Sequence, residues 1–238
     1  VVTSLGVPLE KWQLQINYGI KTGYNEAFYV GAEKRESFIA DDARCENMIV
    51  PILRGRDIQR YATDWLQLDD EKWMLFIPWH FPLQDDSAVT GSSQKAESAF
   101  QKQFPRIFEH LVSHKKELSE RNQAETGIRY EWYALQRWAA DYHTDFLKPK
   151  IVYPEITKRL NFFLDTDGAF YTNNKTFILT SDFESLPYLA AALNSTLFRC
   201  CFMDNFPNLG EDRRELRKIF MDKIPIRKPT AQQVTLFE

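Results

Sequence analysis

Two groups of short β-type segments, one in each terminal third, flank a central stretch with helical periodicity. In the first group Leu14, Ile16 and Tyr18 alternate with Gln13, Gln15 and Asn17, and Ala27–Val30, Ile49–Leu53, Trp65–Leu68 and Trp73–Pro78 are rich in β-branched and aromatic residues. The second group is Lys150–Pro154, Asn161–Asp165, Ala169–Thr172 and Thr176–Leu179, with turn chemistry at Thr166-Asp167-Gly168 and Asn173-Asn174-Lys175. The Asp167-Gly168 pair predicts a tight hairpin between Phe163 and Phe170. Between the groups Phe100, Phe104, Ile107, Phe108, Leu111 and Leu118 recur on one helical face, with Ser93 as N-cap and Pro105 as a kink or restart. A short helix is expected at Asp41–Asn47, a polar loop at 83–93, an apolar helix at Leu186–Phe202, and an extended exit at Ile224–Pro229 with frayed residues after it. The pattern predicts an α+β fold: one domain over 1–238, a mixed or antiparallel β-sheet, a helical insertion at about 93–147, and a C-terminal apolar helix.

The composition suits a packed core, with 44% hydrophobic and 14% aromatic residues in 238. No apolar run approaches the ~20 residues that span a bilayer, and Val1-Val2-Thr3-Ser4 does not open a signal peptide. The missing initiator Met predicts a piece of a longer protein. Cys45, Cys200 and Cys201 form neither a disulfide framework nor a zinc site, and the adjacent Cys200 and Cys201 read as buried apolar groups in a reducing cytoplasm. The net charge of −3 argues against a uniformly basic DNA-binding surface and shifts attention to local charge.

The stretch richest in binding chemistry is Ile16–Val30. Gly19 and Gly23 bracket Lys21 and Thr22, and Tyr24 and Asn25 follow. A cation, a hydroxyl, a phenol and an amide beside two glycines can hold a phosphate and read a base edge; the same residues also make an ordinary hairpin loop. Arg54, Arg56 and Arg60 form a second basic group, with Asp57 and Asp64 available to neutralise it. The run Gly127–Tyr133 sets Arg129 beside Tyr130, Trp132 and Tyr133, with Arg137 just beyond, either as cation and stacking surface or as core. His110 and His114 lack a third ligand, so no metal site is expected. Glu155-Ile156-Thr157-Lys158 has one residue too many for the Asp/Glu-x-Lys of a nuclease centre, and no cofactor glycine loop, Asn-Pro-Pro-Tyr motif or nucleophile elbow is present. No catalytic residue is expected.

The run Gly19–Phe28, the block Pro51-Ile52-Leu53-Arg54-Gly55-Arg56-Asp57-Ile58, the strand Lys148-Pro149-Lys150-Ile151 and the helix segment Leu189–Ser195 follow one another as in the TaqI-like C-terminal specificity domains of adenine-specific DNA methyltransferases and fused restriction-modification enzymes, which the chain resembles. Trp132-Tyr133-Ala134-Leu135-Gln136-Arg137 is similar to another run of that family. The resemblance implies a non-catalytic, cytoplasmic target recognition domain that binds double-stranded DNA through Lys21, Thr22, Tyr24, Asn25, Arg54, Arg56, Arg60, Arg129, Tyr130 and Arg137. A methyltransferase domain of the same parent chain would be its partner. S-adenosylmethionine, and magnesium if the parent also cleaves DNA, would belong to that parent, with no cofactor in this part. The alternative from a different class is a scaffold module that binds a partner subunit through its aromatic surface.

Overall fold

The computed structural model describes residues 6–62, 65 and 73–237. They divide into two compact units, one from the described residues of Val1–Gly19, Leu53–Gln67 and Tyr142–Glu238, the other from those of Ile20–Ile52 and Leu68–Asp141. The chain is α+β, as its two kinds of periodicity imply.

The first unit is organised on an antiparallel sheet in the spatial order Gln15–Tyr18, Thr176–Thr180, Lys150–Pro154, Phe163–Asp165. The middle strands are buried throughout, and for that reason they read as continuous apolar runs. One face packs Ile16, Ile151, Tyr153, Phe177 and Leu179 against Leu186, Leu189 and Leu193 of the helix Leu186–Asn194 and Phe198 and Phe202 of the helix Thr196–Phe202. The single apolar helix expected over Leu186–Phe202 is thus two. Ser195 leaves helical geometry (ψ 152°), and its hydroxyl accepts from the Phe198 amide at 3.0 Å, capping the second helix. Asn194, buried at the break, brackets Phe162 by accepting from its N–H (3.1 Å) and donating to its carbonyl (2.7 Å). Cys200 and Cys201, on the second of these helices, are exposed, correcting the expectation that they are buried; Cys45 is buried.

Lys150 is wholly buried inside this unit. Its Nζ donates to Asp165 Oδ2 at 2.6 Å and to the Phe146 carbonyl at 2.7 Å. The same carboxylate accepts from the Ala169 and Phe170 amides at 3.1 and 3.0 Å. That capture replaces the predicted hairpin: Phe163–Asp165 pairs with Lys150–Pro154, and Gly168 makes its turn at φ 64° against the Leu147 carbonyl. Burial pushes the Lys150 ammonium below its ordinary value, and Asp165 opposes the shift.

At the end of Gln15–Tyr18 the chain touches its own backbone. Gly19 donates to the Thr176 carbonyl at 3.1 Å, and a Cβ on Gly19 would overlap the Asn173 carbonyl. Its lack of a side chain serves packing within the chain.

The second unit holds the antiparallel ladder Tyr29–Val30, Trp73–Leu75, Ile49–Leu53 and the helices Ala32–Asp41, Gln94–Gln103, Pro105–Val112 and Lys115–Glu120. Ser93 caps the helix at 94, accepting from the Ala96 amide at 3.2 Å, and Pro105 restarts the helical run. The first half of the predicted strand Ala27–Val30 belongs to a single helical turn, Asn25–Phe28, and only Tyr29–Val30 is extended. Asp41–Asn47 is realised as a 3-10 helix, Ala43–Met48, capped by Asp42. The predicted strand Trp65–Leu68 lies outside the described residues apart from Trp65. The tail forms a helix, Ala231–Phe237, where fraying was expected.

Two stability outcomes follow. Asp165→Asn removes the counter-charge of a buried ammonium and is expected to cost about 3–5 kcal/mol in denaturant unfolding at pH 7. A lysine with a depressed folded-state pKa holds fewer protons folded than unfolded, so its contribution rises with pH between that value and 10.5. The gap between variant and wild type should therefore narrow from pH 7 to 10; an unchanged gap would place the loss elsewhere. Gly19→Ala should lower stability by about 1–3 kcal/mol through overlap with backbone that cannot step aside, and a melting curve matching wild type would contradict this.

Candidate nucleic-acid interface

Within the second unit Lys21 and Arg137 face each other across an isolated antiparallel bridge. They exchange both main-chain hydrogen bonds, Lys21 N–H to Arg137 carbonyl at 3.0 Å and Arg137 N–H to Lys21 carbonyl at 2.9 Å. Directly opposed residues in such a pair project from the same face about 5 Å apart, so two cations stand side by side, a destabilising arrangement in isolation. Among the described residues neither has a carboxylate partner, and Arg137 is exposed. This is an opening for an external anion.

The adjoining loop is held from behind. The buried Thr22 hydroxyl donates to Asn25 Oδ1 at 2.6 Å, leaving the exposed Asn25 amide group as a donor to solvent. Gly23 turns at φ 83°, a conformation that favours glycine, with Arg121 and Gln136 packed close. Tyr24 is half-buried, its ring 5.8 Å from that of His114.

Arg121 is the brace that sequence reasoning missed. Its guanidinium donates to the main-chain carbonyls of Thr22, Trp132 and Ala134 and lies 5.5 Å from the centre of the Phe28 ring. Burial lowers its pKa to about 10. It joins the Lys21–Asn25 loop to the segment that delivers Arg137. A charged residue ending a polar helix carries no sequence signal for that role.

The aromatic run is interior. Tyr130 and Tyr133 are wholly buried; Tyr130 stacks on Trp79 at 4.9 Å, Tyr133 donates to the Phe81 carbonyl at 2.8 Å, and Trp132 donates to Glu97 at 2.8 Å. Arg129 is exposed, paired with Glu125 at 2.8 Å and lying over Trp79. Glu131 sits beneath, accepting from the amides of His80 (2.7 Å) and Ser93 (2.9 Å). Nearby, His110 meets the Ala27 carbonyl through Nε2 at 2.9 Å and Lys34 through Nδ1 at 2.7 Å; burial first, then Lys34, lowers its pKa to about 4. These contacts satisfy the ring as a neutral imidazole.

In the first unit Arg54 is buried and spent on Asp57: its Nε and its main-chain N–H both donate to Asp57 Oδ2, at 2.9 and 2.8 Å. Arg56 is exposed, 3.9 Å from the same carboxylate. Arg60 lies with Tyr61 at the tip of a turn closed by the Gln59 amide on the Ala62 carbonyl at 3.0 Å. Glu155, the carboxylate of the nuclease-like spacing, is engaged by Lys175 (3.4 Å) and Arg217 (3.7 Å). Of the ten residues expected to meet DNA, Thr22, Arg54 and Tyr130 thus lie inside the fold; Lys21, Tyr24, Asn25, Arg56, Arg60, Arg129 and Arg137 reach solvent.

Among solved structures the chain is similar to the type IIL restriction-modification enzyme MmeI, determined in complex with DNA (TM-score 0.58, 16% identity, 97% of this chain and 28% of that one). It is also similar to the type IIG restriction endonuclease BpuSI (TM-score 0.54, 12% identity, 98% of this chain and 26% of that one). It therefore spans little more than a quarter of either enzyme. No curated protein matches at the level of sequence. Residues 50–226 match the TaqI-like C-terminal specificity domain, a range that takes in the Pro51–Ile58, Lys148–Ile151 and Leu189–Ser195 blocks and begins after Gly19–Phe28. The chain belongs to the family of TaqI-like C-terminal specificity domains.

Proposed function

We propose that this chain is the part of a restriction-modification enzyme that recognises the DNA target, and that it uses the Lys21–Asn25 loop with Arg137 to do so. One observation carries the assignment of the surface: Lys21 and Arg137 are held side by side by mutual backbone bonds, with no carboxylate partner among the described residues. A phosphate between two such cations relieves their repulsion and fixes the register of the duplex. Asn25 then offers an oriented amide donor at the loop's exposed edge, suited to a purine acceptor or a second phosphate oxygen. Within the second unit Tyr24 and Arg129 extend the solvent-facing set, and the first unit offers the exposed Arg56. Arg54, Thr22 and Tyr130 act through the scaffold: Arg54 fixes its turn, Thr22 orients Asn25, and Tyr130 fills the core.

Catalysis is assigned to other domains of a longer parent, an adenine methyltransferase domain first among them. The chain's own lack of an Asn-Pro-Pro-Tyr motif and its coverage of about a quarter of the two enzymes support this division. S-adenosylmethionine, and magnesium where the parent cleaves, would be held there, in a cytoplasmic setting. Among the described residues no helix is long and apolar enough to cross a membrane.

The test is a fluorescence titration of the chain against duplex DNA at several salt concentrations. Lys21→Ala/Arg137→Ala should weaken binding about tenfold or more on every duplex and flatten the log–log salt slope by roughly one unit. Asn25→Ala should instead cost about 1–3 kcal/mol on the preferred sequence and little on random DNA. Equal affinity and slope for wild type and the double variant, with melting unchanged, would remove this loop from the interface.

A further inference from the structure

A second basic feature lies wholly within the first unit and includes residues to which no role attaches so far. Arg60, Arg159 and Arg199 line one cleft of about 410 Å³ together with Gln59, Leu160 and Asn161. Among the described residues the cleft has no carboxylate in its wall. Among the described residues none of the three guanidinium groups has an acidic partner, while Arg54, Arg129, Arg214 and Arg217 elsewhere in the chain each have one. Three uncompensated guanidinium groups around one cavity repel one another, and an anion is what relieves that cost.

The arginines come from three separate segments that the fold ties together. Asn161 Nδ2 donates to the Ile58 carbonyl at 3.2 Å, holding the Gln59–Ala62 turn to the 159–161 segment. The buried Asn194 clamps Phe162 and so registers the helix bearing Arg199 against the same segment. Arg159 is itself fixed where its N–H and carbonyl both engage the Thr157 hydroxyl. The backbone segments that carry the three arginines are therefore set before any ligand arrives. Next to Arg60, Tyr61 keeps a left-handed backbone (φ 62°) and stays 62% exposed, a costly choice for a bulky residue that sets an aromatic ring beside the arginine turn.

We infer that this cleft is a second backbone-anchoring site, in which Arg60, Arg159 and Arg199 clamp a phosphodiester of the bound duplex. The inference rests on the DNA reading above and adds Arg159 and Arg199 to it. Guanidinium forks suit phosphate oxygens bidentately, and Gln59 and Asn161 add neutral polar groups at the wall. The site carries no sequence information; its role is to fix where the duplex lies.

The experiment pairs two probes on the same chain: a duplex DNA titration across salt, and thermal melting with and without inorganic phosphate. Arg159→Ala/Arg199→Ala should melt like wild type without ligand, bind all duplexes about tenfold more weakly at low salt, and show a salt slope flatter by about one unit. Phosphate should raise the melting temperature of wild type and not that of the variant. Loss of phosphate protection with unchanged duplex affinity and slope would overturn the inference in favour of a site for a free anion, leaving the DNA reading intact. No phosphate effect and unchanged duplex binding would overturn it outright. A wild-type chain that binds no duplex at any salt concentration would overturn the DNA reading itself, and this inference with it.

Discussion

A single buried lysine conditions the architecture of the first unit. Taking an ammonium out of water costs several kcal/mol, so Lys150 is tolerable only while Asp165 and the Phe146 carbonyl stay in place around it. Meeting that demand fixes the pairing of Lys150–Pro154 with Phe163–Asp165 and the approach of residues 146–148. Asp165 has capacity left over, and spends it on the Ala169 and Phe170 amides, which sets the loop that leads to the next strand. The sheet so fixed seats the helices Leu186–Asn194 and Thr196–Phe202, and the Asn194 clamp on Phe162 then places the second of them, which carries Arg199.

A net charge of −3 coexists with two local groups of uncompensated cations because the acidic residues are spent elsewhere. Asp57 neutralises Arg54, Glu125 takes Arg129, Glu155 lies between Lys175 and Arg217, and Asp222 takes Lys218. Among the described residues, the Lys21–Arg137 bridge in one unit and the Arg60–Arg159–Arg199 cleft in the other are groups of cations without carboxylate partners. Placement decides what the surface attracts at close range, and total charge governs only the far field. An acidic chain can in this way present specific phosphate contacts while general attraction to DNA stays weak.

Much of the fold is legible in sequence. Alternation marks Gln15–Tyr18, continuous apolar runs mark the buried Lys150–Pro154 and Thr176–Thr180, and Ser93 and Pro105 announce the helices they start. The misses share one cause, a side chain whose partner lies at a distance or competes with local propensity. Ser195 has the choice of continuing a helix or capping a new one, and caps. Asp167-Gly168 has hairpin chemistry, yet Asp165 draws the following amides to itself. Ala27 favours helix and Phe28 strand, so propensity does not decide the pair. At the candidate site, residue type alone marked Lys21, Asn25 and Arg137 as well as Arg54, Thr22 and Tyr130. Which of them faces solvent depends on Asp57, on the Thr22–Asn25 contact and on the Trp79 stack, none of which has a signature in the chain. Arg121, Arg159 and Arg199 gave no signal, because their meaning lies in carbonyls and neighbours brought together by folding.

The function proposed above requires the chain to discriminate between DNA sequences. The most direct measurement is repeated selection of bound duplexes from a random-sequence pool by the purified chain at low salt, followed by sequencing. A sequence-reading chain enriches one defined motif over successive rounds, with flanking positions left random where only phosphates are held. A folded chain whose bound pool remains as random as the starting one would contradict it.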